Sequence, residues 1–193
     1  MLISLLERRK HNMNDDIAKK DEKQPLPGRY TFCAYAAACL RLKTVYVWGG
    51  MGELLTPETL RIKAELYPEH FAQEEVERLL EKADGNTRMF DCSGLIKWFL
   101  MRGPHGFQYD PAKDRNTLGL LREASASGSM DTMPETEGIC LYMDGHVGIY
   151  VGGGIVIEAT NNPLFGDGVV KTKLHDRAWK KWFCCKGIDY SDN

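Results

Sequence analysis

Apolar positions along this chain change period part-way. Before about residue 137 they recur three and four apart, the spacing of one helix face; afterwards they alternate or run continuously between glycine turns, as in strands. "YTFCAYAAACLRLK" is alanine-rich and apolar on most sides, which predicts a buried helix ending at "TVYVWGG", a β-branched and aromatic run closed by two glycines. Residues 52–88 predict a helical insert. Thr56 suits an N-cap with Pro57 in the first turn, and Leu60, Ala64 and Tyr67 follow at helical spacing. Val76, Leu79, Leu80 and Ala83 then form a second apolar stripe, stopped at Gly85. In "MFDCSGLIKWFL" a polar step enters a third buried helix through Leu95, Trp98, Phe99 and Leu100, with Lys97 expected to face outward.

Residues 102–137 predict a Gly/Pro-rich loop, a short helix around "NTLGLLREAS" and a Ser/Gly linker. From Gly138 the strands "ICLYM", "HVGIYV" and "IVIEAT" are separated by the hairpin signals "DG" and "GGG". "GVVKTKL" reads as a fourth strand, and "WKKWFCCKGIDY" adds aromatic packing and a last strand. Helices first and an antiparallel sheet afterwards define the α+β class. The charged residues 1–28 read as a mobile tail, leaving 29–193 as the folded domain.

Composition narrows the function more than the fold. The chain has 193 residues, 43% hydrophobic and 27% charged, enough for one full core. A formal net charge of −2 offers no basic surplus for nucleic acid, and no apolar run approaches the roughly 20 residues of a membrane span. The first apolar run is too short for an export signal, so synthesis and retention in the cytosol are expected unless another route releases the protein; Met13 is an alternative start. Six cysteines without that signal do not predict disulfides. None has zinc-site spacing, so a structural metal has no support, and thiol chemistry itself implies no metal or organic cofactor.

The candidate chemistry centres on Cys92. A thiol at a helix start meets unpaired backbone N–H groups and a dipole worth about +0.5 charge, an environment that lowers cysteine pKa values and can hold an oxyanion. The bland alternative is a buried packing cysteine. Of five histidines, His146 stands out because it opens a strand directly after a turn, with glycines at 145 and 148; a solvated strand-edge histidine is the competing reading. In that strand His146, Gly148 and Tyr150 share one face, as do Val156, Glu158 and Thr160 in the next. A three-residue loop at Gly152–Gly154 sets Glu158 opposite Gly148, diagonal to His146. A five-residue loop sets it opposite His146, and a two-residue loop sends it to the other face. A Cys–His pair oriented by a third polar group is the arrangement thiol catalysis needs.

"YVWGG", "FDCSGLIKWF" and "GHVGIYVGGGIVIEA", in that order, resemble the NlpC-type cell-wall cysteine peptidases, over roughly residues 30–190. The resemblance implies a papain-like core, Cys92 as nucleophile, His146 as base and acid, and Glu158 in the place of the third polar residue, most often a histidine there. It also implies that Tyr46, Asp91 and Ser93 line a pocket for the free amine of a stem peptide. Core packing for Tyr46 and helix capping for Asp91 and Ser93 are the structural alternatives. The implied substrate is a peptidoglycan peptide or muropeptide, cut between γ-D-glutamate and a diamino acid. Muramoyl-alanine amidase, transpeptidase or acyl-transfer chemistry on the same scaffold, or a binding module with a relic site, are the rival readings. Gly50 and Asp91 lie 41 positions apart, longer than in compact relatives, and the insert between them is expected to wall the cleft.

Overall fold

The computed structural model of the protein describes residues 25–191; the predicted tail lies outside the described residues up to residue 24. Two helices with few polar positions organise the core: α1 (Arg29–Cys39) and α4 (Cys92–Leu100). Phe32 and Tyr35 of α1 meet Phe99 of α4 at ring-centroid distances of 4.9 and 5.0 Å, and the Tyr35 hydroxyl donates to the Leu95 carbonyl at 2.5 Å. Both helices belong to one core cluster with Val147, Ile149, Ile157, Ala159 and Phe183 of the main sheet.

The small sheet comes first in the chain. It comprises β1 (Thr44–Tyr46), β2 (Met51–Leu54) and β3 (Arg88–Phe90), with β3 central, parallel to β1 and antiparallel to β2. Between β2 and β3 run α2 (Pro57–Leu66) and α3 (Gln73–Leu80). Thr56 does cap α2, in a reciprocal pairing with Thr59. Leu60 and Leu79 of these helices pack on Val45, Val47 and Met89 as a separate cluster. The segment expected to be a helical insert is therefore helical only in its middle. Its two ends are strands that pair with each other, which ties it into the domain.

A short α5 (Thr117–Arg122) leads to β4 (Ala126–Ser129), then β5 (Cys140–Met143), β6 (His146–Tyr150), β7 (Ile155–Thr160), β8 (Gly168–Lys173) and β9 (Lys181–Cys184). These six strands form one antiparallel sheet in the order β4-β9-β5-β6-β7-β8. β4 lies in the stretch expected to be a linker. Its sequence, Ala-Ser-Gly-Ser, carries none of the side chains that mark strands, and pairing with β9 alone makes it one. The sheet's second face buries Leu141, Tyr150, Val156 and Trp179. Helices precede the main sheet and α4 packs on it, giving an α+β fold. No helix among the described residues is long and apolar enough to cross a membrane.

Candidate active site

β3 delivers the chain straight into α4, so the nucleophile candidate sits at a strand-to-helix junction. Asp91 caps the helix: its Oδ1 accepts from the Gly94 amide at 2.5 Å and the Ser93 hydroxyl at 2.8 Å, while Oδ2 accepts from the Gly49 amide at 3.0 Å. The Asp91 amide in turn donates to the Gly50 carbonyl at 2.8 Å. This approach is so close that a Cβ on Gly94 would stand 1.9 Å from the Gly50 oxygen, so a side chain there would separate the helix from the turn. The capping alternative thus describes what Asp91 does in this structure, while Ser93 donates to the capping carboxylate. Cys92 is the first helical residue and is buried.

The thiol faces the start of β6. Cys92 Sγ donates to the Gly145 carbonyl at 3.8 Å, and the amides of Val147, Ser93 and Cys92 point toward the sulfur. Burial pushes its pKa up to about 12, Asp91's charge adds to the rise, and those three amides oppose it. Desolvation outweighs the helix-start field here, contrary to the lowered value expected from position alone. Tyr46 completes this wall. Its phenol is raised by burial and by the nearby Cys92 and Asp91, and its amide donates to Asp167 Oδ1 at 2.9 Å.

The opposite wall is built by strand register. β6 and β7 pair Tyr150 with Val156 and Ile149 with Ile157, so Gly152–Gly154 is the three-residue loop and Glu158 falls opposite Gly148. Glu158 Oε2 then lies 2.5 Å from His146 Nε2. Glu158 is fully buried and has three further contacts. Thr172 Oγ1 donates to Oε1 at 2.6 Å, Arg177 Nε to Oε1 at 3.1 Å, and Arg177 Nη2 to Oε2 at 2.8 Å. Burial opposes its ionisation, but the hydrogen bonds from His146, Arg177 and Thr172 prevail and hold the carboxyl below its usual range. The imidazole also stacks on Trp179, with centroids 5.7 Å apart and planes 16° from parallel. Gly148 leaves room for that indole: a Cβ there would come within 3.0 Å of it. With Nε2 engaged by Glu158, Nδ1 is the ring nitrogen that the carboxylate leaves unengaged.

Residues 43–187 match the sequence model of the NlpC/P60 family, three-quarters of the chain. The protein belongs to the NlpC/P60 family. Solved structures similar to this NlpC/P60 domain include the P60 domain of antigen MAP1204 from M. avium subspecies paratuberculosis, at 19% identity over 84% of this chain and 98% of that one, TM-score 0.46. The NlpC/p60 domain of the peptidoglycan hydrolase SagA is 17% identical over 81% and 97% of the two chains, TM-score 0.41. The peptidoglycan hydrolase RipB from Mycobacterium tuberculosis is 17% identical over 84% and 67%, TM-score 0.46. No curated protein sequence matches the chain.

In this NlpC/P60 domain the insert adjoins the site. His70 stacks on Trp48 at 3.7 Å, and Lys63 donates to the Gly49 carbonyl at 2.6 Å. Arg78 and Lys82 of the insert both reach Asp167 Oδ2 at 2.6 Å, the same carboxylate that receives the Tyr46 amide. A cavity of about 580 Å³ opens between the insert and α4, lined by Gly49, Lys63, Tyr67, Lys97 and Asp114. Lys97 does not face outward as expected; it is buried and pairs with Asp114 at 2.8 Å, because the loop after α4 folds back over that side. A larger cavity of about 900 Å³ lies at the other end of α4, beside Tyr35, Phe99 and Leu120, away from the thiol. Thr172, Arg177, Trp179 and Asp167 are site residues that periodicity did not single out. Thr172 alone had a signal, since it shares the Glu158 face once β7 and β8 are paired.

Proposed function

We propose that this protein is a cysteine peptidase that hydrolyses an amide bond in peptidoglycan stem peptides, cutting between γ-D-glutamate and a diamino acid. The observation that carries the reading is a thiol at the start of α4 that hydrogen-bonds to the residue just before a strand-opening histidine, whose Nε2 is held by a buried carboxylate. Family membership supplies the substrate class, and the peptidoglycan hydrolases among the similar structures agree with it.

In this reading Cys92 Sγ attacks the scissile carbonyl carbon as its proton passes to His146 Nδ1. Burial disfavours the thiolate, and transfer of its proton to His146 offsets that cost. The amides at the start of α4 face the developing oxyanion. His146 then protonates the leaving amine, the C–N bond breaks, and a thioester remains. Water, deprotonated by His146, attacks the thioester; the acid leaves and the thiol regains its proton. Glu158 holds the imidazole with Nε2 protonated throughout. Tyr46, Asp91 and Ser93 form the wall against which the γ-glutamyl side of the peptide is held. The insert closes the cleft through Trp48 and His70, and in this reading narrows substrate choice.

Mass spectrometry of L-Ala-γ-D-Glu-meso-diaminopimelate incubated with wild type and Cys92→Ala tests the proposal. Release of L-Ala-D-Glu by wild type alone is the expected result. An intact peptide, together with cleavage of a muropeptide at the lactyl–alanine amide, would replace the endopeptidase reading with an amidase.

A further inference from the structure

Two side chains outside the reacting set grip it from one short segment. Arg177 and Trp179 stand two residues apart between β8 and β9, and each touches a different member of the His146–Glu158 pair. Arg177 places its guanidinium along the carboxylate, one nitrogen to each oxygen, and a third contact from Nη2 to Thr160 Oγ1 at 3.1 Å fixes the fork. The face of the guanidinium lies over the Phe165 ring, 4.3 Å from its centroid. Trp179 lies flat against the imidazole, is itself buried, and its indole Nε1 has no hydrogen-bond partner among the described residues. A buried indole that forgoes its hydrogen bond is held there by packing.

We propose that Arg177 and Trp179 form a positioning clamp: Arg177 sets the tautomer of His146 through Glu158, and Trp179 sets the plane of its ring. The inference rests on the catalytic reading of His146 given above for its consequence in turnover, but not for its structural content. The physical argument concerns a carboxyl group sealed from water. Without a cation, such a group favours its neutral form. A neutral Glu158 would donate its own proton to His146 Nε2, forcing the ring hydrogen onto Nδ1. The nitrogen needed to accept the thiol proton would then already carry one. The guanidinium prevents this by keeping Glu158 an acceptor. Thr172 cannot substitute, because its hydroxyl carries no charge and can turn to accept from a neutral carboxyl as well as donate to an ionised one. The indole face removes the remaining freedom, rotation of the ring about its bond to Cβ.

The test is nitrogen NMR of the full chain labelled with ¹⁵N-histidine, recorded at a pH where the imidazole is neutral, with the His146 signals assigned by loss in His146→Gln. Wild type is expected to show the hydrogen on Nε2. Arg177→Gln is expected to move it to Nδ1 and to lower kcat at least tenfold with little change in KM. Arg177→Lys, which keeps a charge but not the fork, is expected to recover the Nε2 form and part of kcat. Trp179→Phe keeps a stacking face and should stay near wild type, whereas Trp179→Leu should broaden the His146 signals and lower kcat. An unchanged tautomer and kcat in folded Arg177→Gln would overturn the clamp. If that variant does not fold, a wild-type tautomer with hydrogen on Nδ1 would overturn it instead. A tautomer switch in a protein that cleaves no stem peptide would leave the clamp standing and refute the proposed activity.

Discussion

Asp91 and Glu158 are both carboxylates buried at the site, yet they are satisfied by different means. Asp91 accepts from two backbone amides and a hydroxyl, two of the three from its own helix start. Glu158 accepts from His146, Thr172 and Arg177, side chains brought from separate segments. Dipoles solvate a charge without cancelling it, so Asp91 still acts on its neighbours, and the thiol of Cys92 is raised in part by it. A guanidinium matches the charge of Glu158, which leaves geometry as that group's main contribution. One wall of the site therefore carries an electrostatic lever, and the other a mechanical lock.

The thiol carried by the first wall should show the largest effect. Cys92→Ala is expected to lower kcat by about 10⁴-fold or more while the melting temperature stays close to wild type, since losing the proposed nucleophile would remove the reaction path. Glu158→Ala strands Arg177 without its counter-charge, and urea titration should find a loss of about 3–5 kcal/mol. The same lock predicts acid sensitivity. The folded carboxyl is held below its ordinary value of 4.5, so its contribution is complete above that pH and is lost as the pH falls through the lower folded value. Urea midpoints measured downward from neutral pH should fall in that window, and less steeply in Glu158→Gln.

Asp91→Ala removes a cap whose partners are local, and should cost about 1–2 kcal/mol in the same assay. If it costs as much as Glu158→Ala, the distinction between dipoles and a matched charge fails. Asp91→Asn keeps a capping oxygen but removes the lever, so Cys92 should alkylate with iodoacetamide faster at fixed alkaline pH, by about tenfold for one unit of pKa. The smallest effect is expected at Asp167→Asn. Its partners Arg78 and Lys82 are partly solvated, and chemical denaturation should show a loss of about 1 kcal/mol or less.

The two walls also differ in how far the sequence reveals them. The Cys92 wall is local: an acidic N-cap, a thiol and a glycine inside one turn announce themselves as a string, and the structure places them as such. His146 and Glu158 were legible because strands alternate and the glycine run allowed few loop lengths. Arg177 and Trp179 lie in "HDRAWK", a stretch with no period to read, and their partners are fixed only by tertiary packing. The same reason hid β4, whose residues become a strand only beside β9. Lys97 misled for a related cause: a charged residue on a helix is outward-facing until a loop arrives with a carboxylate, as Asp114 does.

The loop Gly152–Gly154 shows that part of this site is written as a count rather than as a set of letters. Glu158 meets His146 because three residues, Gly152–Gly154, separate Val151 from Ile155, whose hydrogen bond closes the hairpin between β6 and β7. A scan that replaces one amino acid at a time would test the shape of that loop and leave its arithmetic untouched. Removing a single glycine would keep every reacting side chain in the gene yet turn Glu158 to the opposite face. Insertions and deletions, rather than substitutions, are the changes to which this half of the site is most exposed.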